Sequence, residues 1–357
     1  MHSDKEETMT SLVRTAGSFW RAMRYVGVPG IDNLNQIGPG KVTDYPKLAA
    51  SAAHLFGRSQ VWEESGGNTT DAAGKFVFDY QLVRGVNFMN IRGLTNAAPT
   101  DPTLLTGFYV SRAQHLMAIG RPAAQIALFH PTDSMWMGDQ ECDTATVKLV
   151  TQLMEQQIDF DHIDADTLAT ECTLEGGGIK NLSGQVYRGV VVPNSTVIQK
   201  KVLERLKAFA AAGGKVVFVG RTPTIVYDKT FLHPEAGAPD LSFATLEPTE
   251  AITAKVVAAL PKPDVKLDTA CPPVKYMHRS LKDGEVYFFY NESPQTQARA
   301  ATIAGTGTVQ VWDAITGKIS ALAGAPAAQG SVTVPLSLAS HEGRFIVIGP
   351  SPAAAAN

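Results

Sequence analysis

The sequence predicts an α/β protein of 357 residues in three parts. Short apolar strands alternate with helices over residues 1–120, which is typical of the parallel βα units of a barrel. A second helix–strand alternation fills residues 121–265 and predicts a parallel α/β unit. Short strands separated by Gly, Asn and Asp turns fill residues 266–350 and predict an antiparallel β-sandwich. Residues 351–357 are of low complexity, and we expect a disordered tail.

The first part contains three predicted strands and four predicted helices. Apolar residues at helical spacing predict helices over 5–26, 46–56, 71–83 and 101–119. Pro46 stands in the first turn of the second of these helices and Gly57 follows its last turn, which are positions that these residues favour. The strands between them are predicted over 30–34, 61–64 and 84–91.

The second and third parts differ in the spacing of their strands. Strands over 124–131, 159–163, 187–192 and 215–219, with helices over 144–157 and 198–212, predict the parallel sheet. Residues 221–273 are rich in proline and are expected to be irregular, with one helix around 249–259. The sandwich strands are predicted over 286–290, 308–312, 331–335 and 344–348.

Composition restricts the function classes. A formal charge of −3 and a pI near 6.2 give no electrostatic footprint for nucleic acid. Apolar stretches stay well below the roughly 20 residues that a membrane helix needs. Cys142, Cys172 and Cys271 lie far apart with no CxxC spacing, so isolated thiols are expected rather than a disulfide framework or a zinc site.

Candidate site residues stand where the predicted strands of the first part end. Catalytic groups of parallel βα barrels occupy the C-terminal ends of strands. These ends carry Asp32, Asn33, Glu63, Glu64, Asn90 and Arg92. Glycoside cleavage needs such a set, because one acid protonates the leaving oxygen while a carboxylate acts as base or nucleophile at the anomeric carbon. Polar neighbours would hold the sugar hydroxyls.

Each candidate also has a simpler explanation. Successive strand residues point to opposite faces, so only one of Glu63 and Glu64 can face the centre, and a Glu-Glu pair is commonly a solvated surface. Asp32 could be a capping or turn residue. His54 is expected to be a packed helix residue, and Arg92 could bind a neighbouring loop.

Other chemistries lack their motifs. The glycines at 176–178 and 213–214 match neither GxGxxG nor GxxxxGK[ST], and GxSxG is absent. The second part resembles a class I glutamine amidotransferase fold, but 190–195 has no cysteine at the strand end, so this part is interpreted as non-catalytic. Two groups near its first strand could bind a metal or form a solvated loop; they are His130 with Asp133, and Asp139 with Glu141 and Asp143.

Several motifs follow one another in a fixed order along the chain. They lie at 28–32, at 46–57 with Lys47, Ser51 and His54, at 61–64, at Asp79 and 84–87, at 287–293 and at 312–317. This order resembles the last part of large glycoside hydrolases, in particular the α-L-rhamnosidases of family 106 and related bacterial glycosidases. The resemblance implies the C-terminal part of a (β/α)8 barrel. An amidotransferase-like domain akin to the trimerisation domain of β-galactosidase would follow, and then a β-sandwich.

The resemblance also implies roles for individual residues. Glu64 matches the family's strand-end glutamate and would be the catalytic base or stabilising carboxylate. Asn87 matches the asparagine of a Gly-Val-Asn motif and would bind substrate with Asp32, Asn33, Glu63, Asn90 and Arg92. Family members usually carry a histidine shortly after that motif, whereas this chain has Phe-Met-Asn-Ile-Arg at 88–92, which leaves the choice of sugar open.

A barrel needs eight strands, and only about three are predicted before the second part. We therefore expect the C-terminal part of a glycosidase that removes terminal sugars from plant or microbial polysaccharides or glycosides, with half of its active site. The alternative is an inactive fragment or a carbohydrate-binding and assembly module. The resemblance allows calcium as an assisting ion, without an identifiable ligand set, and a homo-oligomer. A periplasmic or extracellular location would follow if a signal lies upstream of the visible N-terminus.

Overall fold

The structure is a computed structural model that describes residues 2–3, 9–32, 45–64, 72–89, 102–327 and 330–349. Over these residues the helices are α1 (Met9–Ala16), α2 (Phe19–Met23), α3 (Tyr45–Leu55), α4 (Ala72–Leu82), α5 (Pro102–Ala118), α6 (Thr132–Trp136), α7 (Glu141–Glu155), α8 (Lys200–Ala211) and α9 (Ala254–Ala259), with a π-helical turn at Thr167–Glu171.

The strands up to residue 199 are β1 (His2–Ser3), β2 (Gly30–Asp32), β3 (Trp62–Glu64), β4 (Phe88–Met89), β5 (Arg121–Pro122), β6 (Ile126–Phe129), β7 (Phe160–Ile163), β8 (Thr173–Glu175), β9 (Gly178–Lys180), β10 (Val186–Tyr187), β11 (Gly189–Val192) and β12 (Val197–Gln199). The later strands are β13 (Lys215–Val219), β14 (Ile225–Tyr227), β15 (Thr245–Glu247), β16 (Val265–Leu267), β17 (Val274–Ser280), β18 (Glu285–Asn291), β19 (Gln297–Ala304), β20 (Thr308–Trp312), β21 (Ile319–Ala321), β22 (Ala325–Pro326), β23 (Ser331–Leu338) and β24 (Gly343–Gly349).

The helix predicted over 5–26 is in fact two helices, α1 and α2. Gly17 adopts a left-handed conformation with φ of 72°, which ends α1. Ser18 then caps α2 by accepting a hydrogen bond from the Arg21 amide at 3.3 Å. The apolar spacing continues across this break because both helices bury the same side, so the single-helix prediction was wrong at Gly17.

A four-stranded parallel sheet, in the order β1-β2-β3-β4, forms the first layer. Helix α3 joins β2 to β3, and α4 lies between β3 and β4 in the chain. The strand predicted from residue 84 begins later, at Phe88, because residues 83–85 form a turn in which Gly85 has φ of 98°. A Cβ at that position would lie 2.7 Å from the Cβ of Ala50, so the backbone passes close to α3 here.

The second layer is a five-stranded parallel sheet in the order β15-β13-β11-β6-β7. Its strands β6, β7, β11 and β13 and its helices α7 and α8 confirm the prediction for this part of the sequence. Continuous apolar strands such as 189–192 are buried on both faces, which is typical of parallel sheets. Strand β7 is at the edge of the sheet, and α3 of the first layer packs against it.

Two antiparallel sheets form the C-terminal part, as the short strands separated by Gly, Asn and Asp turns predicted. Their orders are β16-β19-β23-β22 and β21-β20-β24-β18-β17-β5. Tyr287 and Phe289 of β18 pack into the core that the two sheets share. Phe288 and Tyr290 point the other way, into a hydrophobic core that also includes both parallel sheets. That larger core is therefore continuous through all three parts of the chain.

Residues 221–273 are less irregular than the sequence predicted. Strands β14, β15 and β16 lie there, and each pairs with a strand distant in sequence. Helix α9 begins at Thr253, which caps it by accepting from the Val256 amide. Strands of three residues carry too little periodicity to be recognised before their partners are known.

Within the described residues, each helix is too short or too polar to cross a membrane.

Candidate active site

Two carboxylates lie side by side at the carboxyl end of the first sheet. Asp32 is the last residue of β2 and Glu64 is the last residue of β3, and the two are register partners in the parallel pair. Register partners on neighbouring strands point to the same face, and the strands lie about 4.8 Å apart. Both residues are half-buried. The sequence placed both of them at strand ends, and the structure brings them together.

The two faces of this sheet differ in burial. Glu63 is fully buried and is in register with Ile31 and Met89, which belong to the hydrophobic core. On the opposite face Trp62 is half-buried and Phe88, its register partner, is 44% exposed. Glu64 and Asp32 share the less buried face with Trp62 and Phe88, whereas Glu63 points to the helix side.

The remaining predicted site residues divide into two groups. Asn33, Asn90 and Arg92 lie outside the described residues. Asn87 is buried, and its Nδ2 donates to the carbonyl oxygens of Ser59 at 2.9 Å and Met117 at 3.1 Å. Its Oδ1 accepts from the Val61 amide at 2.8 Å. These bonds hold the start of β3, and the predicted sugar-binding role of Asn87 stays a prediction.

Helix α3 carries a stripe of polar residues although all of its residues are buried. Lys47 Nζ lies 2.6 Å from Asp159 Oδ1, and both side chains are almost fully buried. Ser51 Oγ accepts a hydrogen bond from the amide of His162 at 2.8 Å. His54 Nδ1 lies 2.9 Å from Asp161 Oδ1. His54 is therefore packed in the interior, as predicted, and it also makes a specific polar contact with Asp161.

Asp161 is the most highly connected carboxylate of this interface. Its Oδ2 accepts from Gln185 Nε2 at 2.8 Å and from the hydroxyl of Tyr187 at 3.1 Å. Burial by itself raises the pKa of a carboxyl, but the charge and hydrogen bond of His54, the charge of Lys47 and the bond from Gln185 bring the pKa of Asp161 below its ordinary value. At Asp159, burial raises the pKa and Lys47 opposes that shift.

The carboxyl end of the second sheet is occupied by the protein's own side chains. Asn194 Oδ1 accepts from the Arg221 amide at 2.7 Å, and Ser195 Oγ donates to the Pro193 carbonyl. In doubly wound sheets this edge is where ligands bind.

The groups considered as metal ligands have other partners. Asp133 Oδ2 accepts from the Tyr227 hydroxyl at 2.7 Å, and Asp139 Oδ2 accepts from Thr196 Oγ1 and from the Arg221 guanidinium, each at 2.5 Å. The part of the chain that the structure describes holds no group of three or more His, Cys, Asp or Glu side chains placed to bind a metal ion. The assisting calcium ion that the resemblance implies stays a prediction.

A cavity of about 530 Å³ lies elsewhere, between α4, α5 and the antiparallel sheets. Its walls include Lys75, Tyr109, Trp312 and His341 but none of the predicted site residues. A cavity of this volume can hold a small ligand. Asp32 and Glu64 are the stronger candidates for an active site, because they lie on the less buried face of the sheet and a carboxyl group can transfer protons.

Sequence reasoning missed Asp159 and Asp161. It also missed that Lys47 contacts Asp159 and that Ser51 contacts the backbone of His162. One signal was present: Lys47, Ser51 and His54 stand at i, i+4 and i+7 in an otherwise apolar helix, which places them on one face. The partners of these residues, at 159–162, could not be inferred, because they lie more than 100 residues away.

Comparison with known proteins gives one family and many similar folds. The family model of glycoside hydrolase family 106, described as alpha-L-rhamnosidase, matches residues 95–324. Curated proteins give no significant match to the chain. Among solved structures, a rhamnosidase from Novosphingobium sp. PP1Y superposes with a TM-score of 0.70 at 21% identity, covering 94% of this chain and 36% of its own length.

Two other glycosidases share the fold at lower identity. A β-galactosidase from Bacillus circulans sp. alkalophilus has a TM-score of 0.58 at 12% identity and covers 93% of this chain and 61% of its own. An α-L-fucosidase from Paenibacillus thiaminolyticus has a TM-score of 0.56 at 12% identity, with coverages of 86% and 63%. At these identities the similarity concerns the fold. The chain spans about a third of the length of the rhamnosidase.

Proposed function

Since the chain belongs to the alpha-L-rhamnosidase family of glycoside hydrolases, we propose that it is the C-terminal part of a glycosidase that removes terminal L-rhamnose or a related sugar from polysaccharides or glycosides. Residues 1–120 would be the last βα units of a (β/α)8 barrel. Residues 121–265 would be the amidotransferase-like domain and residues 266–350 the β-sandwich. The mixed parallel and antiparallel sheets and their order along the chain support this division.

The observation that carries the proposal is the in-register pair of Asp32 and Glu64 on the less buried face of a parallel sheet. Glu64 would act as the base or the stabilising carboxylate at the anomeric carbon, and Asp32 would accept hydrogen bonds from sugar hydroxyls. Asn33, Asn90 and Arg92 follow neighbouring strands in the sequence and would complete the sugar contacts. Glu63 points to the helix side and would support the strand instead.

The proposal requires further strands. The described residues supply a sheet of four parallel strands, whereas a closed barrel of this type has eight. The second acid of the catalytic pair would come from those further strands, because the carboxyls of a glycosidase face each other across the sugar at about 5 to 9.5 Å. The coverage of 36% of the rhamnosidase supports this view.

The open sheet favours a second candidate. If no further strands join β1 and β4, the chain would be a carbohydrate-binding or assembly module without turnover. Trp62 and Phe88 on the less buried face could then stack on a sugar ring without hydrolysing it.

Hydrolysis of an aryl α-L-rhamnoside tests the proposal. The chain is assayed alone and as part of the complete open reading frame that contains it. We expect turnover in the complete protein, and we expect Glu64→Gln to reduce kcat by about 10³-fold or more while Glu63→Gln keeps most of the activity. Thermal melting of each variant controls for folding.

Two outcomes would reject parts of this proposal. Full activity of Glu64→Gln would remove Glu64 from the catalytic role. Absence of turnover with every aryl glycoside, together with saturable binding of rhamnose-containing glycans, would establish the module instead. Calcium dependence and a homo-oligomer stay predictions, and they are checked by activity after chelation and by light scattering on the purified protein.

A further inference from the structure

Helix α3 connects the two strands that carry the carboxylate pair. It begins at Tyr45, after β2 and Asp32, and ends at Leu55, before β3 and Glu64. All of its residues are buried. The connection from Leu55 to β3 is short, so a displacement of α3 would be transmitted directly to the strand that ends at Glu64.

The polar stripe of α3, defined as Lys47, Ser51 and His54, matches the edge strand β7. Asp161 lies in β7, and Asp159 immediately precedes that strand. Lys47 binds Asp159 at 2.6 Å and His54 binds Asp161 at 2.9 Å. The stripe thus contacts residues 159, 161 and 162, which lie just before β7 and within it.

Ser51, the middle residue of the polar stripe, accepts a hydrogen bond from a backbone amide at the edge of the second parallel sheet. An edge strand presents backbone N–H groups that have no partner within its sheet. Ser51 Oγ accepts the amide hydrogen of His162, which lies next to Asp161 in β7, and donates to the Lys47 carbonyl at 2.6 Å. Helix α3 therefore supplies the acceptor that a neighbouring strand would otherwise supply to the His162 amide. This bond helps to fix the position of α3 along β7.

The end of α3 is held by a second contact, with the segment that joins β9 to β10. The Leu182 amide donates to the Leu55 carbonyl at 3.3 Å. Gly57 has φ of 68°, and a Cβ there would lie 3.2 Å from the Leu182 carbonyl oxygen. If α3 moved along β7, the contacts of Lys47 and His54 would break. If α3 rotated about its axis, the hydrogen bond from the Leu182 amide would break. These contacts together fix the position of α3.

We propose that the polar stripe of α3 is a positioning device, through which the second parallel sheet sets the placement of Asp32 and Glu64. The inference deepens the proposed function and rests on it. Lys47, Ser51 and His54 act through the backbone of α3 and are positioning residues. The edge strand of the second parallel sheet contacts α3, and α3 in turn connects β2 to β3.

The first test measures hydrogen–deuterium exchange in the complete chain. Asp161→Asn removes the charge opposite His54 at nearly constant volume. We expect exchange in β2 and β3 to rise about tenfold, while the amides of β11, in the centre of the second sheet, stay protected. The matched control is His278→Gln, since His278 is also buried and lies 3.0 Å from Asp264 and 2.9 Å from Glu285, but in the antiparallel part.

The second test uses the complete reading frame and an aryl α-L-rhamnoside. We expect Asp161→Asn to lower kcat by about 10- to 100-fold with little change in KM, because misplacement by about 1 Å affects the transition state more than binding. His278→Gln should leave both constants unchanged. Ser51→Ala is a milder second variant should Asp161→Asn fail to fold, and it should raise exchange in the same two strands.

Unchanged exchange in β2 and β3, or an equal rise in His278→Gln, would overturn the inference regardless of activity. Lack of turnover in the wild-type protein would reject the proposed function, and the exchange experiment would still decide whether α3 positions the two strands. Exchange that rises without any loss of kcat would show that the stripe stabilises the sheet but does not position the carboxylates, and it would also overturn the inference.

Discussion

His54 Nδ1 and Asp161 Oδ1 lie 2.9 Å apart although 107 residues separate them in the chain. The contact joins a helix of the first layer to the edge strand of the second. Both side chains are buried, and the hydrophobic core continues around them. The two parallel sheets are therefore held together by apolar packing and by a polar contact that specifies their register.

Removing His54 should destabilise the protein strongly. His54→Leu leaves the Oδ1 atom of the buried Asp161 carboxylate without its histidine partner, and such a loss costs about 3–5 kcal/mol in the free energy of unfolding. Urea denaturation measures it. The folded pKa of Asp161 is lowered, so its stabilisation is present above the unfolded value of about 3.9 and is lost as the pH falls through the folded pKa. A loss below about 1 kcal/mol would contradict the buried contact.

His278 should make stability depend on alkaline pH. Burial opposes its protonation, but the hydrogen bonds and charges of Asp264 and Glu285 raise its pKa from 6.5 to about 9. A raised folded pKa means that the stabilisation is complete below the unfolded pKa and is lost as the pH rises from 6.5 to about 9. The expected decrease is about 3 kcal/mol, from about 1.4 kcal/mol per pKa unit. Denaturation at several pH values should show it, and His278→Gln should flatten the curve.

Asp164 should destabilise the protein at neutral pH. Its Oδ1 is buried and has no hydrogen-bond partner among the described residues, and burial raises its pKa to about 6. The native state therefore favours the protonated form, and stability is lost between the unfolded pKa and about pH 6. We expect Asp164→Asn to raise the free energy of unfolding by about 1–3 kcal/mol at neutral pH and to change it little at pH of about 4. An equal effect at both pH values would exclude this cause.

The two left-handed glycines that follow α1 and α3 should differ in cost. Gly17 has φ of 72°, and a Cβ there would meet no atom of the described residues within 4 Å, whereas at Gly57 the Leu182 carbonyl oxygen would be 3.2 Å away. Gly17→Ala should cost about 1–2 kcal/mol for the backbone alone. Gly57→Ala should cost more by about 1 kcal/mol, because the carbonyl oxygen must move. Thermal melting of both variants compares them, and equal losses would contradict the close approach.

The sequence by itself determined most of the larger elements. Helices α3, α7 and α8 and strands β6, β7, β11 and β13 were predicted within a few residues, because burial on one side imposes a period of 3.6 or a continuous apolar run. It also placed Asp32 and Glu64 at strand ends. It further predicted that only one of Glu63 and Glu64 can face the centre of the barrel.

Tertiary structure decided what depends on distant partners. Which of the two glutamates is buried follows from the register of β3 with β2 and β4, which one strand does not contain. The short strands of 221–273 and the bond of His54 to Asp161 exist only when separate segments meet. Local periodicity reports which side of an element is buried, but the identity of what covers it is a property of the whole chain.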